Sequence, residues 1–346
     1  LAGLSQGMSG NRQHGERPCL KTMKALVCDT LTDDFSGLSV QDVPVPEVGE
    51  GEVLVRVKAA SVNFPDLLMS QGQYQMKPEL PFIQGMECAG IVEAVGIAVS
   101  EFSLGDRVVG GNKTGAFAEF ALLPASSLSR VPENMEFAEA AAYPAAYLTA
   151  YVALVRRANL QPGETLLVHG ASGGVGMAAV DVGKLLGATV IATSASDAKL
   201  DKVIEHGADY AINVTQGFRD KVKTLTAGRG ADVIFDPVGG DVFDESVRCI
   251  AFDGRLLVVG FTSGRIPEVK VNMPLIKGFS VVGVRAGEYG RRFPERGREN
   301  MAAIWKWAAE GKTQPRIHAE LPLDKWREAY RLLTDREVVG KVVIRP

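Results

Sequence analysis

Cysteine is scarce in this sequence, and its spacing excludes two common uses of the residue. The four cysteines, Cys19, Cys28, Cys88 and Cys249, lie far apart and show no paired spacing. That pattern argues against a disulfide framework and against a zinc site built from cysteine pairs. Buried hydrophobic side chains or inert thiols explain these residues better than reactive groups do. The sequence therefore favours a reducing compartment, and we predict a cytoplasmic protein.

Long apolar runs and a large excess of one charge are also missing. The longest apolar stretches, 138–146 and 256–261, are far shorter than the ~20 residues that cross a bilayer. The formal net charge is -3, with 46% apolar and 23% charged residues. This balance is ordinary for a globular protein and offers no basic surface for nucleic acid. We expect neither a membrane segment nor a nucleic-acid partner.

The first 22 residues lack the apolar stretch of a secretory signal. They are polar and are interrupted by glycines and a proline. We predict that residues 1–22 are a disordered leader or tag and that the native chain starts at Met23.

The chain has 346 residues, which is long enough for two domains. From Met23 to about Pro132, short β segments separated by glycine and proline predict a barrel-like β region. An alanine-rich helical stretch follows at 137–157. Strands then alternate with helices, which predicts an α/β doubly wound parallel sheet, with strands at 164–169, 189–193, 210–213, 233–236, 255–260 and 280–284. Two more helical stretches precede a final β segment, 340–345, that we expect to return to the first domain.

A strand, turn and helix in succession give the strongest local signal. The apolar strand that starts at Leu166 runs into the turn His169-Gly170-Ala171-Ser172-Gly173-Gly174-Val175-Gly176, which opens a helix. Gly173 lets the backbone approach a pyrophosphate, and Gly176 lets the helix pack on the strand. The helix N-terminus, around Ser172, Gly173, Gly174 and Val175, supplies free N–H groups and partial positive charge. The sequence therefore predicts a dinucleotide-binding turn, although Ala171 stands where the first glycine usually lies.

The choice of cofactor depends on the end of the next strand, where an acidic residue would bind the ribose hydroxyls of NAD. Ser194 occupies that position, and its small hydroxyl leaves room for a 2′-phosphate. Lys199 adds positive charge nearby, so NADPH is the predicted cofactor. In the alternative, Asp197 binds the ribose and Lys199 is a solvated helix charge.

Several motifs in order resemble the zeta-crystallin-like quinone oxidoreductase branch of the zinc-free medium-chain dehydrogenases/reductases. The resemblance covers nearly the whole of Met23 to Pro346. Its motifs are the dinucleotide turn together with Ala60-Ser61-Val62-Asn63-Phe64-Pro65-Asp66, Gly85-Met86-Glu87-Cys88-Ala89-Gly90, Leu148-Thr149-Ala150-Tyr151, Asp236-Pro237-Val238-Gly239-Gly240 and Gly340-Lys341-Val342-Val343. The resemblance implies a GroES-like catalytic domain, 23–148 and 287–346, and a Rossmann NADP-binding domain, 149–286. It also implies an active site in the cleft between them and a homodimer.

The same resemblance implies chemistry without zinc. Related zinc enzymes carry cysteine, histidine and cysteine where this chain has Asn63, Met86 and Ala145, and they have a four-cysteine lobe that is absent here. Without those ligands a tetrahedral zinc has no protein cage. A quinone or enone accepts hydride without a Lewis acid because the product anion is delocalised. The protein then has to orient the reactants, exclude water and stabilise the oxyanion.

The chemistry of individual side chains and the family resemblance together give the candidate site residues. Asn63 is the first candidate for a polar contact with nicotinamide or substrate, since its amide both donates and accepts; a plain turn residue before Pro65 is the alternative. Tyr74 resembles the family's substrate-side tyrosine, with a half-buried surface aromatic as the alternative. The nicotinamide half of the cofactor would contact Thr149, Val238, Phe261, Thr262 and the segment around Arg285, although packing explains Val238 and Phe261 too. The tyrosine that relatives place near the 2′-phosphate is missing at Asn213-Val214-Thr215.

The predicted function is reduction of a quinone or another α,β-unsaturated carbonyl compound by NADPH. One alternative is reduction of an unsaturated acyl thioester, for which the arginines at 291, 292, 296 and 298 would bind coenzyme A phosphates. Another is an NADPH-binding protein with little catalytic activity, acting as a regulatory or RNA-associated module.

Overall fold

A computed structural model describes residues 22–346 of the chain. The predicted leader, and Cys19 with it, lies outside the described residues, except for Thr22, which starts the first strand. Within the described part of the chain, no helix has the length and apolar character needed to cross a membrane.

The architecture is α/β, as the sequence predicts. Sixteen strands are present among residues 22–346. In chain order they are β1 Thr22–Cys28, β2 Leu38–Pro44, β3 Glu52–Ser61, β4 Phe82–Ile83, β5 Glu87–Val95, β6 Arg107–Gly111, β7 Phe120–Pro124, β8 Leu128–Arg130, β9 Thr165–Val168, β10 Thr189–Ser194, β11 Tyr210–Asn213, β12 Ala231–Asp236, β13 Ile250–Val258, β14 Ser280–Gly283, β15 Ile317–Pro322 and β16 Lys341–Arg345.

The helices connect these strands and cover the sheets. In chain order they are α1 Phe64–Ser70, α2 Phe137–Ala142, α3 Pro144–Tyr151, α4 Gly174–Leu185, α5 Asp197–Glu205, α6 Arg219–Leu225, α7 Gly240–Ser246, α8 Asn272–Lys277, α9 Ala286–Arg292, α10 Pro294–Ala309 and α11 Trp326–Thr334. The end of α3 continues as a wider π-helix, Val152–Arg157.

The N-terminal part forms two sheets rich in antiparallel pairs. Strands β2, β1 and β4 form the smaller sheet, and the larger one runs in the order β15-β16-β3-β5-β6-β8, with β7 also paired to β3. Exposed and buried positions alternate over 22–25 in β1 and over 55–59 in β3, as expected where one face is buried, and the rest of each strand is largely buried. The C-terminal strand β16 pairs antiparallel with β3, so the end of the chain completes the sheet that the beginning starts.

The middle part is a six-stranded parallel sheet in the order β11-β10-β9-β12-β13-β14. All four residues of its central strand β9 are buried, which is why that strand is continuously apolar rather than alternating. The strand order reverses between β9 and β12, and this reversal opens the crevice in which doubly wound folds bind dinucleotides.

A backbone contact joins these parts, and a buried tyrosine pair links α3 to α10. The backbone N–H of Gly340 donates to the carbonyl of Ser172, 2.8 Å away, and Gly340 forms a β-bridge with Gly173. Tyr143, fully buried beside α3, stacks on Tyr147 with ring centroids 4.0 Å apart, and its hydroxyl donates to the carbonyl of Ile304 on α10. The start of β16 therefore lies directly against the predicted dinucleotide turn.

Candidate functional site

The turn that the sequence predicts between a strand and a helix forms at the end of β9. Gly170 has a positive φ of 56°, which favours glycine, and Gly173 is the N-cap of α4. A Cβ on Gly176 would lie 2.3 Å from the carbonyl oxygen of Gly170, so only glycine allows this helix to pack so closely on the turn. Among residues 22–346, no side chain caps the first turn of α4. Its N–H groups and helix dipole therefore suit a pyrophosphate.

Buried polar side chains fix the strand ends around this turn. His169 is bonded through its two ring nitrogens to Thr193 Oγ1 and Ser246 Oγ, each at 2.8 Å. Burial lowers the pKa of His169 to about 3, so the ring is neutral and links β9, β10 and α7. The carboxylate of Asp236 accepts the backbone N–H groups of Val238 and Gly239, at 2.8 and 2.9 Å. These bonds set the loop that follows β12.

Three predicted nicotinamide contacts lie on two neighbouring loops. Val238 is on the loop after β12, and Phe261 and Thr262 are on the loop after β13. Val238 is half-buried, while Phe261 and Thr262 are exposed. The N–H of Thr262 donates to the carbonyl of Pro237 at 3.1 Å, which joins the two loops. Arg285 is exposed and is the N-cap of α9. Thr149 lies on α3, where its hydroxyl donates to the carbonyl of Ala145 at 2.7 Å.

The predicted 2′-phosphate residues lie next to the C-terminal loop. Ser194 is half-buried at the end of β10 and pairs with Asn213 on β11. The ammonium of Lys199 donates to the carbonyls of Arg336 and Val338. The guanidinium of Arg336 in turn donates to the carbonyl of Thr262 at 3.1 Å. The C-terminal loop thus connects Lys199 with the nicotinamide-side loop.

Asn63 forms a cluster with two buried side chains, Glu87 and Lys341. Its Nδ2 donates to Glu87 Oε1 at 2.8 Å and to the carbonyl of Ser61 at 3.3 Å, and its Oδ1 accepts from Lys341 Nζ at 2.6 Å. Lys341 Nζ lies 3.5 Å from Glu87 Oε1, and the two side chains are only 8% and 5% exposed. The other oxygen of Glu87 accepts the N–H of Ala145 at 2.9 Å. Both protons of the Asn63 amide are therefore engaged, and what remains is one lone pair of its oxygen.

Asp66 is a buried neighbour of this cluster. Its Oδ2 accepts the backbone N–H of Asn63 at 2.8 Å, whereas Oδ1 has no hydrogen-bond partner among the described residues. Burial raises the pKa of Asp66 to about 7; the N–H of Asn63 and the charge of Lys341 oppose the increase, and Glu87 adds to it. Asp66 thus holds the turn before α1.

The positions of the zinc ligands in related enzymes carry different chemistry here. Asn63 presents an amide, Met86 a thioether and Ala145 only a methyl group. The ammonium of Lys341 lies between Asn63 and Glu87, where a second cation would be repelled. Among residues 22–346, no three His, Cys, Asp or Glu side chains are grouped as a metal site.

Lys341 and Arg336 are not predicted as site residues from the sequence. Lys341 belongs to a motif that indicated the family, but nothing local distinguishes it from a surface lysine. Tyr74, which sequence reasoning did select, is half-buried and packs against the core of the N-terminal sheets.

Comparison with known proteins gives the family. Residues 49–133 match the alcohol dehydrogenase GroES-like domain, and residues 174–307 match the zinc-binding dehydrogenase family. A quinone oxidoreductase-like protein 2 homolog from Nematostella vectensis is 41% identical, over 94% of this chain and 89% of that protein.

Solved structures agree with this match. A probable oxidoreductase from Mycobacterium abscessus is 38% identical with a TM-score of 0.85, over 94% of this chain and 99% of that one. A mycobacterial protein complexed with NADPH is 32% identical with a TM-score of 0.86, over 94% of this chain and 100% of that one.

Two glycines of the turn should respond differently to alanine. A Cβ on Gly173 would meet only the Gly170 carbonyl oxygen at 3.5 Å, an ordinary contact, so Gly173→Ala should fold normally but bind a dinucleotide more weakly. Gly176→Ala should lower the free energy of unfolding, because its Cβ meets backbone. Urea unfolding and dinucleotide titration of both variants measure this difference. Equal loss of stability in the two would contradict it.

The pKa of Asp66 predicts a pH-dependent stability. Since the folded-state pKa is raised, the stability that this carboxyl contributes is complete below its ordinary pKa and is lost as pH rises towards 7. Asp66→Asn should therefore gain stability relative to the unmodified protein between pH 5 and pH 8, by roughly 2 kcal/mol. Urea unfolding at both pH values measures the gain. A difference that does not change with pH would contradict the assignment.

Proposed function

The chain belongs to the quinone oxidoreductase branch of the medium-chain dehydrogenase/reductase superfamily, and on that premise we propose that it reduces quinones or other α,β-unsaturated carbonyl compounds with NADPH and without zinc. Families of this kind bind NAD(P) and transfer hydride, so the chain is an oxidoreductase. The substrate class, the preference for NADPH and the independence of zinc are the proposed parts.

The buried cluster of Asn63, Glu87 and Lys341 is the observation that carries the proposal. The residues at this position do not fit a tetrahedral zinc, since an amide, a thioether and a methyl group replace its ligands and an ammonium lies among them. A site without a Lewis acid cannot strongly polarise an isolated ketone. It suits acceptors whose own conjugation spreads the negative charge after hydride addition.

The bound cofactor would supply the hydride from its reduced nicotinamide ring, and the chain's residues would hold and orient it. Ser172, Gly173, Gly174 and Val175 would bind the pyrophosphate through backbone N–H groups at the start of α4. Thr149, Val238, Phe261, Thr262 and Arg285 would surround the nicotinamide end.

The reacting groups would be oriented by Asn63 and Tyr74. The free lone pair of Asn63 Oδ1 can accept an N–H from the nicotinamide carboxamide. After hydride addition the acceptor carries an oxyanion, and the Tyr74 hydroxyl would donate the proton that neutralises it. Solvent would then return a proton to the tyrosine.

The surroundings of Lys199 support NADPH over NADH. The Lys199 ammonium donates to the backbone carbonyls of Arg336 and Val338, and its positive charge would suit a 2′-phosphate beside Ser194. Asp197, the candidate for a ribose contact with NAD, instead accepts the Asn213 amide at 2.8 Å. The mycobacterial relative complexed with NADPH points the same way.

The acyl-thioester alternative depends on four arginines, two of which are paired with one carboxylate in the structure. Arg291 and Arg292 both donate to the carboxylate of Glu288, at 3.1 and 2.7 Å, and Arg296 donates to the Tyr289 hydroxyl at 3.0 Å. Glu288 offsets one of the two charges of Arg291 and Arg292, whereas the bond of Arg296 to a neutral hydroxyl leaves its charge in place.

We also propose a cytoplasmic location. Cys28, Cys88 and Cys249 are buried free thiols. Burial raises the pKa of Cys28 to about 11 and that of Cys88 and Cys249 to about 12, so they stay protonated and unreactive. Such thiols suit a reducing compartment.

We further propose a homodimer that forms along β14. Within residues 22–346, no strand pairs with the outer side of β14, which therefore presents free backbone groups. Beside it lie exposed apolar side chains, which we call the edge patch: Phe252 82%, Val271 87%, Leu275 81%, Ile276 71% and Val281 39% exposed. A second copy related by a two-fold axis would pair β14 with β14 and cover both patches.

Turnover of an acceptor panel tests the function. Oxidation of NADPH should be rapid with 1,4-benzoquinone, 9,10-phenanthrenequinone or a simple enone, slower with crotonyl-CoA, slower again with NADH, and unchanged by a zinc chelator. Preference for crotonyl-CoA would favour the acyl-thioester alternative. NADPH binding without turnover on any acceptor would favour the binding-protein alternative.

A pair of charge substitutions tests the dimer. Leu275→Asp and Ile276→Asp together should convert a dimer into a folded monomer, because two buried carboxylates would face their symmetry copies. Ile97→Asp is the matched control, since Ile97 is 94% exposed but lies outside the edge patch. Light scattering after size exclusion measures the mass. A monomeric unmodified protein, or a dimer that survives the substitutions, would rule out this interface.

A further inference from the structure

We propose that Lys341 is a positioning residue that fixes the orientation of the Asn63 amide and couples it to the dinucleotide turn. The inference rests on the proposed function, because it assigns Lys341 a part in hydride transfer at the same site. It adds a residue that contacts Asn63 rather than substrate.

The backbone places Lys341 against the turn. It is the first residue of β16, directly after Gly340, whose N–H donates to the Ser172 carbonyl. Its aliphatic stem covers the start of α4, where a Cβ on Gly174 would lie 2.3 Å from Lys341 Cδ. The backbone and the stem of Lys341 thus lie beside the residues that would bind the pyrophosphate.

Its ammonium ends in the other half of the site. Nζ donates to Asn63 Oδ1 at 2.6 Å and to the Val62 carbonyl at 3.3 Å, and it lies 3.5 Å from Glu87 Oε1. The bond to Asn63 is much the shortest of the three. The main hydrogen-bond partner of Lys341 is therefore the amide oxygen, and Glu87 is a counterion at longer range.

Together, Lys341 and Glu87 permit one orientation of the Asn63 amide. As it stands, Nδ2 faces the carboxylate and Oδ1 faces the ammonium. A flipped amide would set its NH2 group against the ammonium and its oxygen against the carboxylate, at hydrogen-bond distance in a buried site. Because the amide cannot flip, its remaining lone pair points in one fixed direction.

Lys341 is a positioning group rather than a substrate contact because its side chain is only 8% exposed. A pyrophosphate on the N–H groups of Gly173 and Gly174 would lie beside the lysine stem. The same side chain would then adjoin the cofactor at its phosphates and, through Asn63, at its nicotinamide end.

A set of variants separates this role from that of a simple counterion. Lys341→Met keeps the stem and removes the charge, and Glu87→Gln with Lys341→Met removes both buried charges. Asn63→Ala, alone and with Lys341→Met, completes a double-mutant cycle. Lys312→Met, which removes an exposed lysine paired with Glu310, is the matched control.

Four quantities are measured for each variant: the thermal midpoint of the cofactor-free protein, the Kd for NADPH by fluorescence, kcat and KM. Lys341→Met should lower the thermal midpoint, since Glu87 loses its counterion, and should reduce kcat by about tenfold or more. Adding Glu87→Gln should restore the midpoint but not kcat. The kcat of Asn63→Ala with Lys341→Met should be no lower than that of Asn63→Ala alone, because each change removes the same contribution, the fixed orientation of the Asn63 amide.

Two outcomes would overturn the inference. Recovery of kcat together with the midpoint in the charge-neutral double variant would reduce Lys341 to a counterion of Glu87. Additive losses from Asn63→Ala and Lys341→Met would show that the lysine acts independently of the amide.

Failure of the proposed function gives a different pattern. If the unmodified protein turns over no acceptor, the proposed function fails. The positioning role of Lys341 is then tested by the Kd for NADPH of the same variants. Non-additive weakening of NADPH binding by the Asn63 and Lys341 changes would support the positioning role. Unchanged or additive binding would refute it.

Discussion

Two opposite charges, Glu87 and Lys341, are almost completely buried where the parts of the chain meet. Burial of either charge alone would cost several kcal/mol, so each requires the other and the hydrogen bonds around them. Glu87 starts β5 and also accepts the N–H of Ala145 beside α3, while Lys341 starts β16 next to the dinucleotide turn. The pair therefore ties the N-terminal sheet, α3 and the turn to one another. The orientation of Asn63, and with it the geometry of the cleft, depends on this pair.

The same pair supports the kind of chemistry that we propose for the site. The ammonium of Lys341 lies 2.6 Å from Oδ1 of Asn63, which occupies one of the positions that hold zinc ligands in related enzymes, and its charge is largely balanced by Glu87. Little positive charge is left to polarise an unactivated carbonyl group. Acceptors that delocalise their own negative charge need less help, and for them orientation and exclusion of water provide most of the rate enhancement.

Sequence patterns predict well the features that depend on neighbouring residues. The turn from Gly170 to Gly176 and the parallel strands around it follow from glycine spacing and apolar runs, and both form as predicted. Contacts between distant residues leave no such pattern. Lys341 is 278 positions from Asn63 and 254 from Glu87, and nothing in its neighbours indicates that it is buried. Asn63 was selected as a polar contact from its motif, but the motif does not reveal that its amide protons are already used.

The most direct test is a crystal structure of the NADPH complex grown with zinc and recorded at the zinc absorption edge. The account predicts no anomalous peak near Glu87, Lys341 Nζ still bonded to Asn63 Oδ1, and the nicotinamide ring beside that amide. An anomalous peak bound by Glu87, with Lys341 displaced from Asn63, would contradict the account and restore a metal to the mechanism.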